Sequence, residues 1–203
     1  MSLRLYLIRH GETEWSLSGR HTGVTEVPLT ARGEERARGL APILREVGFA
    51  RVLASPRLRA RQTCELAGLA GAAEIEPNLA EWDYGDYEGR RSLDIWKERP
   101  GWEIFRDGCP GGETPAEASD RADRLLLSLR ATDGNVALFT HGHFGRVLAV
   151  RWIGLPVIDG RRFAFDAASI GVLGYDPGHP DAPVVALWNE GPAERVGGRS
   201  SQS

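Results

Sequence analysis

Four short stretches of the chain hold side chains that could do chemistry together. Arg9-His10-Gly11 sets a cation and an imidazole at the end of the apolar run Leu3–Ile8. A neutral imidazole can attack phosphorus and carry it covalently, splitting one hard step into two easier ones. The ring must then present a lone pair while its other nitrogen donates to a backbone carbonyl. Gly11 would let the backbone come close to a ligand. Arg-His after a strand is equally a polar strand end meeting water. Ser55-Pro56-Arg57 reads as an N-cap followed by proline at the first helical position. Free amides and the helix dipole favour anions there, and Arg57, just inside the helix, would add a charge-assisted bond. Arg59 and Arg61 lie close by, so a surface arginine is the competing reading.

His141-Gly142-His143 also opens a helix, offering amides plus an imidazole to a phosphoryl group. His-x-His is a metal-ligand spacing too, and zinc would want further ligands. His10, His21 and Glu81 could supply them, but no second ligand motif is present, and no metal is assigned. Glu81-Trp82-Asp83-Tyr84-Gly85-Asp86-Tyr87-Glu88-Gly89 holds four acids. One carboxyl group could protonate a departing oxygen and later deprotonate water, a contribution of roughly 10²–10⁴-fold. Composition and spacing leave open which of the four does so, and a solvated acidic turn is the plain alternative.

The elements that must position these residues alternate along the chain. Leu3–Ile8 reads as a strand and residues 11–29 as a loop. From Thr30 the spacing of Ala37, Leu40, Ala41, Leu44 and Val47 is helical, and Pro42 should kink or shorten that helix. A brief strand over Arg51–Ala54 precedes the helix opened by Ser55-Pro56, and Ala73–Glu76 could be another strand. Residues 78–113 read as an insertion rich in aromatics, with a helix around Ser92–Glu98. Thr114-Pro115-Ala116-Glu117 is a capping box that starts a helix to about Arg130. Asn135–Thr140 is apolar as a central parallel strand should be, and a helix from Phe144 to about Ile153 follows. Ser169–Tyr175 and Val184–Trp188 complete the strands, and residues 191–203 read as a flexible tail. The alternation predicts an α/β fold, a three-layer α/β/α sandwich around a mostly parallel mixed sheet, in one domain over residues 1–190. Ligands in such sheets bind beyond the carboxyl ends of the strands. Three of the four stretches sit at strand ends.

Composition sets the outer bounds. The 203 residues are 41% hydrophobic and 26% charged with a net charge of −3, so no global basic field recruits nucleic acid or an anionic membrane. The apolar runs are too short for a membrane helix, which needs about 20 residues. Arg4, Arg9 and His10 break up what would be a leader's apolar region. Cys64 and Cys109 form no CxxC pair. These features point to a cytoplasmic protein. Lys97 is the one lysine among the 25 basic residues, so an arginine's presence alone says little. P-loop, GxSxG, HExxH and Rossmann patterns are absent, which removes most support for P-loop hydrolysis, serine hydrolysis and nicotinamide chemistry.

Taken in order, Leu7-Ile8-Arg9-His10-Gly11-Glu12-Thr13, Ser55-Pro56-Arg57 with Ala60 and Gln62-Thr63, Glu81–Gly89, and His141-Gly142-His143 with Arg146 resemble the histidine phosphatase superfamily, the phosphoglycerate-mutase-like group. The resemblance spans residues 3 to about 155. It implies that His10 becomes phosphohistidine, that Arg9, Arg57 and His141 form the phosphate pocket, and that Glu81 is the acid–base residue. It further implies that Gly11, Ser16, Thr22, Gly23, Tyr84 and Gly142 touch phosphate or substrate, although Ser16 stands where mutases commonly carry Asn. The fold it implies is the same three-layer sandwich, and it implies no cofactor.

His143 replaces the Asn of the mutases' His-Gly-Asn, and the insertion is short and charge-balanced, which favours a phosphatase over a phosphoglycerate mutase. The acidic-aromatic run and Cys109-Pro110-Gly111-Gly112-Glu113-Thr114 are similar to bacterial broad-specificity acid phosphatases and fungal sedoheptulose-bisphosphatases. Glu113 could approach the site mouth or lie in an exposed turn. The expected partner is a small phosphorylated substrate, with neither nucleic acid nor membrane, and a homodimer stays open. A non-catalytic phospholigand-binding module is the remaining alternative, disfavoured because binding alone needs no nucleophile and acid pair.

Overall fold

The computed structural model of the chain describes residues 2–192. The strands are β1 (Arg4–Arg9), β2 (Phe49–Ala54), β3 (Ala73–Ile75), β4 (Asn135–Thr140), β5 (Ile170–Asp176) and β6 (His179–Glu190). The helices are α1 (Glu14–Leu17), α2 (Ala31–Arg45), α3 (Leu58–Leu66), α4 (Ser92–Glu98), α5 (Ile104–Asp107), α6 (Pro115–Leu129) and α7 (Gly142–Trp152). One sheet runs β3-β2-β4-β1-β5-β6. Its first four strands are parallel, and β5 and β6 close it as an antiparallel hairpin. The mostly parallel, mixed sheet matches the expectation from sequence.

Strand alternation sends side chains to two cores. Leu5, Leu7, Leu53, Val136 and Leu138 face α6, α7 and the insertion, where Trp82, Tyr84, Trp102 and Phe105 are buried. Ile8, Val52, Ala54, Ala137 and Phe139 face Leu40 and Leu44 of α2 and Cys64 of α3. Each such aliphatic side chain contributes about 1.5–3 kcal/mol when fully buried. The sheet is therefore a stiff middle layer.

Local signals fared unequally. Thr114 caps α6 in a capping box with Glu117, and α4 spans the expected residues. Pro42 neither ends nor shortens α2, which runs through it to Arg45. Pro42 is exposed in the last turn, where a lost backbone hydrogen bond can be replaced by water. The helix after Ser55-Pro56 starts at Leu58 with Arg57 as N-cap, two residues later than expected. Trp96 is 47% exposed, an exception among the insertion's aromatics. The expected tail falls, from residue 193, outside the described residues.

Candidate active site

Three adjacent parallel strands, β2, β4 and β1, end side by side. Arg9 pairs with Thr140 and Ala54 with Phe139 in the ladders. The backbone continues this pairing one residue further: His10 N–H donates to Thr140 O at 3.0 Å and Ser55 N–H to Phe139 O at 3.0 Å. His10, Ser55 and His141 are thereby fixed as neighbours by main-chain hydrogen bonds. The His10 and His141 rings lie 5.2 Å apart between centroids.

His10 is buried, and its Nδ1 sits 2.7 Å from Gly11 O. A carbonyl can only accept, so Nδ1 carries the proton and Nε2 keeps its lone pair. Burial, then the charges of Arg59 and Arg9, hold this imidazole well below its ordinary pKa, so it is neutral at pH 7. His141 is fully buried with Nε2 at 2.7 Å from Ser55 Oγ, and burial and Arg59 depress its pKa in the same way. Ser55 Oγ also accepts from Arg57 N–H at 3.3 Å. The hydroxyl proton is free to go to His141 Nε2, which places the ring proton on Nδ1. That Nδ1 is buried and has no protein partner.

Arg9 lies with its guanidinium against Gly142, where a Cβ would come within 3.2 Å of Arg9 Cζ. One Arg9 amine is tied to Phe165 O, while Nε has no protein partner. Arg59 is wholly buried, clamping the carbonyls of Thr22, Gly23 and Thr25 through its amines and leaving Nε without a protein acceptor. Buried N–H groups on Arg9, Arg57, Arg59 and His141 thus lack protein acceptors, and the charges of Arg59 and Arg9 act on His10 itself. Buried donors are ordinarily satisfied, and a phosphoryl group supplies acceptors for this set. The two guanidinium groups are themselves held below their ordinary pKa by burial, opposed by Glu81.

Arg57 reaches Val24 O at 3.2 Å and Glu26 at 3.8 Å with a quarter of its side chain exposed, while its buried Nε has no protein partner and its charge acts on His141. Because α3 begins at Leu58, Arg59 takes the inward position at its first turn. Arg59 shares a stripe with Thr63, four residues on, whose Oγ1 accepts from Gly11 N–H at 2.9 Å. That i, i+4 pairing was the signal available in the sequence. Ser55, which sets the His141 tautomer, carries no sequence signal of a site role, because Ser55-Pro56 reads as a helix cap.

Glu81 lines the same cavity as His10 and is 8% exposed. Its carboxylate accepts from the backbone N–H of Trp82 at 2.9 Å, Phe144 at 2.8 Å and His143 at 3.1 Å. The last two are amides of the first turn of α7, where a negative charge is favoured. Glu113 lies neither at the mouth nor in an exposed turn. It forms a two-pronged pair with Arg121 at 2.7 Å, and Arg121 also holds the carbonyls of Asn78 and Ala80 at 2.8 Å. The brace fixes the segment that carries Glu81.

A cavity of about 230 Å³ opens among Arg9, His10, Glu81, Gly142, His143 and Arg146. Ser16, Thr22 and Tyr84 also line it. The Ser16 hydroxyl is engaged with Thr13 at 2.9 Å, and Tyr84 OH with His143 Nδ1 at 2.6 Å. Gly11 and Gly23 do not present their amides to it. Gly11 N–H goes to Thr63, and Gly23 N–H to the Glu88 carboxylate at 2.9 Å. Both glycines are needed for close packing instead. A Cβ would meet Gly33 O at 2.6 Å from Gly11, and Trp82 O at 2.8 Å from Gly23. Among the described residues no three His, Cys, Asp or Glu gather at metal-binding spacing. No described helix is long and apolar enough to cross a membrane.

The chain is 44% identical over 188 residues to an acid phosphatase of Mycobacterium tuberculosis, covering 91% of this chain and 92% of that protein. It is 33% identical over 251 residues to a sedoheptulose 1,7-bisphosphatase of Saccharomyces cerevisiae, with coverages of 91% and 92%. A solved structure of the Mycobacterium tuberculosis open reading frame Rv3214 superposes with a TM-score of 0.88 at 41% identity, covering 95% of this chain and all of that one. The family model of the histidine phosphatase superfamily, branch 1, matches residues 5–190, and the chain belongs to that superfamily.

Proposed function

We propose that the protein hydrolyses small phosphomonoesters through a phosphohistidine formed at His10. The observation that carries this reading is the neutral His10 ring, its tautomer fixed by Gly11 O, beside Arg9, Arg59 and His141, whose buried N–H groups lack protein acceptors. His10 Nε2 attacks phosphorus in line, and the P–O bond to the alcohol breaks as Glu81, in its protonated form, donates to the departing oxygen. Arg9, Arg59 and His141 Nδ1–H stabilise the charge on the equatorial oxygens, an effect commonly larger than acid–base help. Water then attacks the phosphorus of phosphohistidine, giving its proton to Glu81 and releasing phosphate. The buried, protein-bonded setting of Arg59 supports giving it the role first assigned to Arg57.

Hydrolysis over mutase transfer is part of the proposal, supported by the acid phosphatase and bisphosphatase names of the relatives. Cytoplasmic residence belongs to it as well, and a homodimer is an assembly it leaves open. The test is a brief reaction with a ³²P-labelled phosphomonoester, quenched in alkali. Wild type should hold label that is stable to alkali and lost in acid, and His10→Ala should hold none. Product analysis should find inorganic phosphate, not label on a second hydroxyl. Turnover that survives His10→Ala would remove the mechanism.

A further inference from the structure

Tyr84 and His143 form a pair that the hydrolytic steps above do not use. Tyr84 is buried, and its hydroxyl lies 2.6 Å from His143 Nδ1. The phenol has no other acceptor among the described residues, so it donates to Nδ1 and leaves the imidazole proton on Nε2. Burial keeps the Tyr84 phenol well above its usual pKa, protonated, and keeps His143 neutral, with Arg146 and His21 acting in the same direction on the imidazole. Packing fixes the ring as well. Phe105 lies 5.5 Å from it and His21 5.8 Å, while Tyr84 and His21 are tilted against each other at 4.7 Å. His143 Nε2 has no protein partner among the described residues.

The cavity at His10 does not end at His143. A second lobe of about 270 Å³ adjoins it, walled by Trp96, Trp102, Glu103, Phe105 and Arg161, and Glu103 Oε2 is buried with no protein partner among the described residues. His21, Ser92, His143 and Arg146 line both lobes. Arg146 is held through Nε to Gly142 O at 3.0 Å and lies over the Phe105 ring at 4.9 Å, with Nη2 unengaged by protein. Two donors, an imidazole N–H and a guanidinium N–H, therefore stand at the passage through which the alcohol portion of a substrate must extend from His10.

The geometry points to His143, fixed by Tyr84 as an Nε2–H donor, and Arg146 as the residues that select phosphomonoesters bearing an oxygen acceptor in the alcohol portion. Tyr84 acts through His143 as a positioning residue. The substrate class is a hydroxylated alkyl phosphate, whose hydroxyls can accept from His143 and Arg146 and donate to Glu103, in preference to a plain alkyl phosphate of equal length. This inference rests on the phosphatase reading of the same site.

The test compares kcat/KM for glycerol 3-phosphate and n-propyl phosphate, which differ in two hydroxyls. Wild type should prefer glycerol 3-phosphate by about tenfold or more, the size of one or two well-placed hydrogen bonds. His143→Phe should collapse that ratio, chiefly through KM for glycerol 3-phosphate, and His143→Asn, which keeps an N–H donor, should recover part of it. Ring ¹⁵N shifts of His143 should report the Nε2–H tautomer in wild type and a mixture in Tyr84→Phe. Equal wild-type rates on the two esters, equal losses on both in His143→Phe, or an Nδ1–H tautomer would overturn the inference. In those cases labelled phosphohistidine at His10 leaves the phosphatase reading intact. Failure to turn over or label with either ester would remove both.

Discussion

The phosphate end of the site and the aromatic lobe beyond His143 are built by different means. At the phosphate end, His10, Ser55 and His141 follow directly on three neighbouring strands and are fixed by ladder hydrogen bonds. The lobe is assembled from the 78–113 insertion, the loop carrying His21, the first turns of α7 and Arg161. One short bridge ties the His21 loop to the insertion, His21 N–H to Arg90 O and Gly89 N–H to His21 O, both at 2.8 Å, and the rest is held by side-chain packing and braces such as Glu113–Arg121. A backbone-positioned group tolerates little displacement and a packed wall can be rebuilt. The first region suits a step common to every phosphomonoester, and the second suits a choice among alcohols.

The comparison breaks most visibly at the arginines. Arg59→Met should lower kcat/KM by about 10²–10³, the cost of deleting one preorganised charge donor. Arg57→Met should cost less than about tenfold, because one of its amines is engaged by Val24 O and lies near Glu26, with a quarter of the side chain exposed. Steady-state kinetics on one activated ester checks both, and the reverse order would return the role to Arg57. Next in size is Ser55→Ala. It leaves His141 Nε2 without its 2.7 Å partner and frees the ring tautomer, so kcat should fall about tenfold. An unchanged kcat would mean that His141 is held by packing alone.

These differences track what was legible in the sequence. The strand ends were readable because β1 and β4 are short apolar runs ended by polar residues, and a parallel sheet places its ligand at those ends. Glu81 could be chosen from four acids only through the family resemblance, since its position depends on amides of α7 some sixty residues away. Arg57 was preferred over Arg59 because Ser55-Pro56 looks like a helix start. The serine is instead turned toward His141, and the two-residue delay rotates Arg59 inward. In the sequence Gly11 and Gly23 read as ligand contacts, whereas in the fold their amides go to Thr63 and Glu88 and a Cβ would strike Gly33 and Trp82. No local pattern reports such tertiary packing. The lobe was the least legible part, for its wall joins residues from 21 to 161.

Acid tests both regions at once, through stability and not through turnover. His10, His141 and His143 are held well below the ordinary imidazole pKa, and His21 is pushed down to about 4, in every case chiefly by burial. An unfolded chain protonates these rings below about pH 6.5, whereas the folded one does not. The unfolded state then binds more protons, so stability is full above that pH and falls as pH drops toward the folded values. Each buried ring contributes about 1.4 kcal/mol per pH unit within its window. Thermal melts should thus decline from pH 6.5 toward 4.5, before most carboxylates begin to titrate. Inorganic phosphate should flatten the slope, because an anion beside His10 and His141 favours their charged forms and raises their folded pKa. His21→Gln should flatten it further without altering the phosphate effect, since His21 packs in the lobe against Tyr84 and Trp102. Melting temperatures that stay level from pH 7 to 5 would mean these rings can charge inside the fold. The neutral nucleophile at His10, on which the division between the two regions depends, would then be lost.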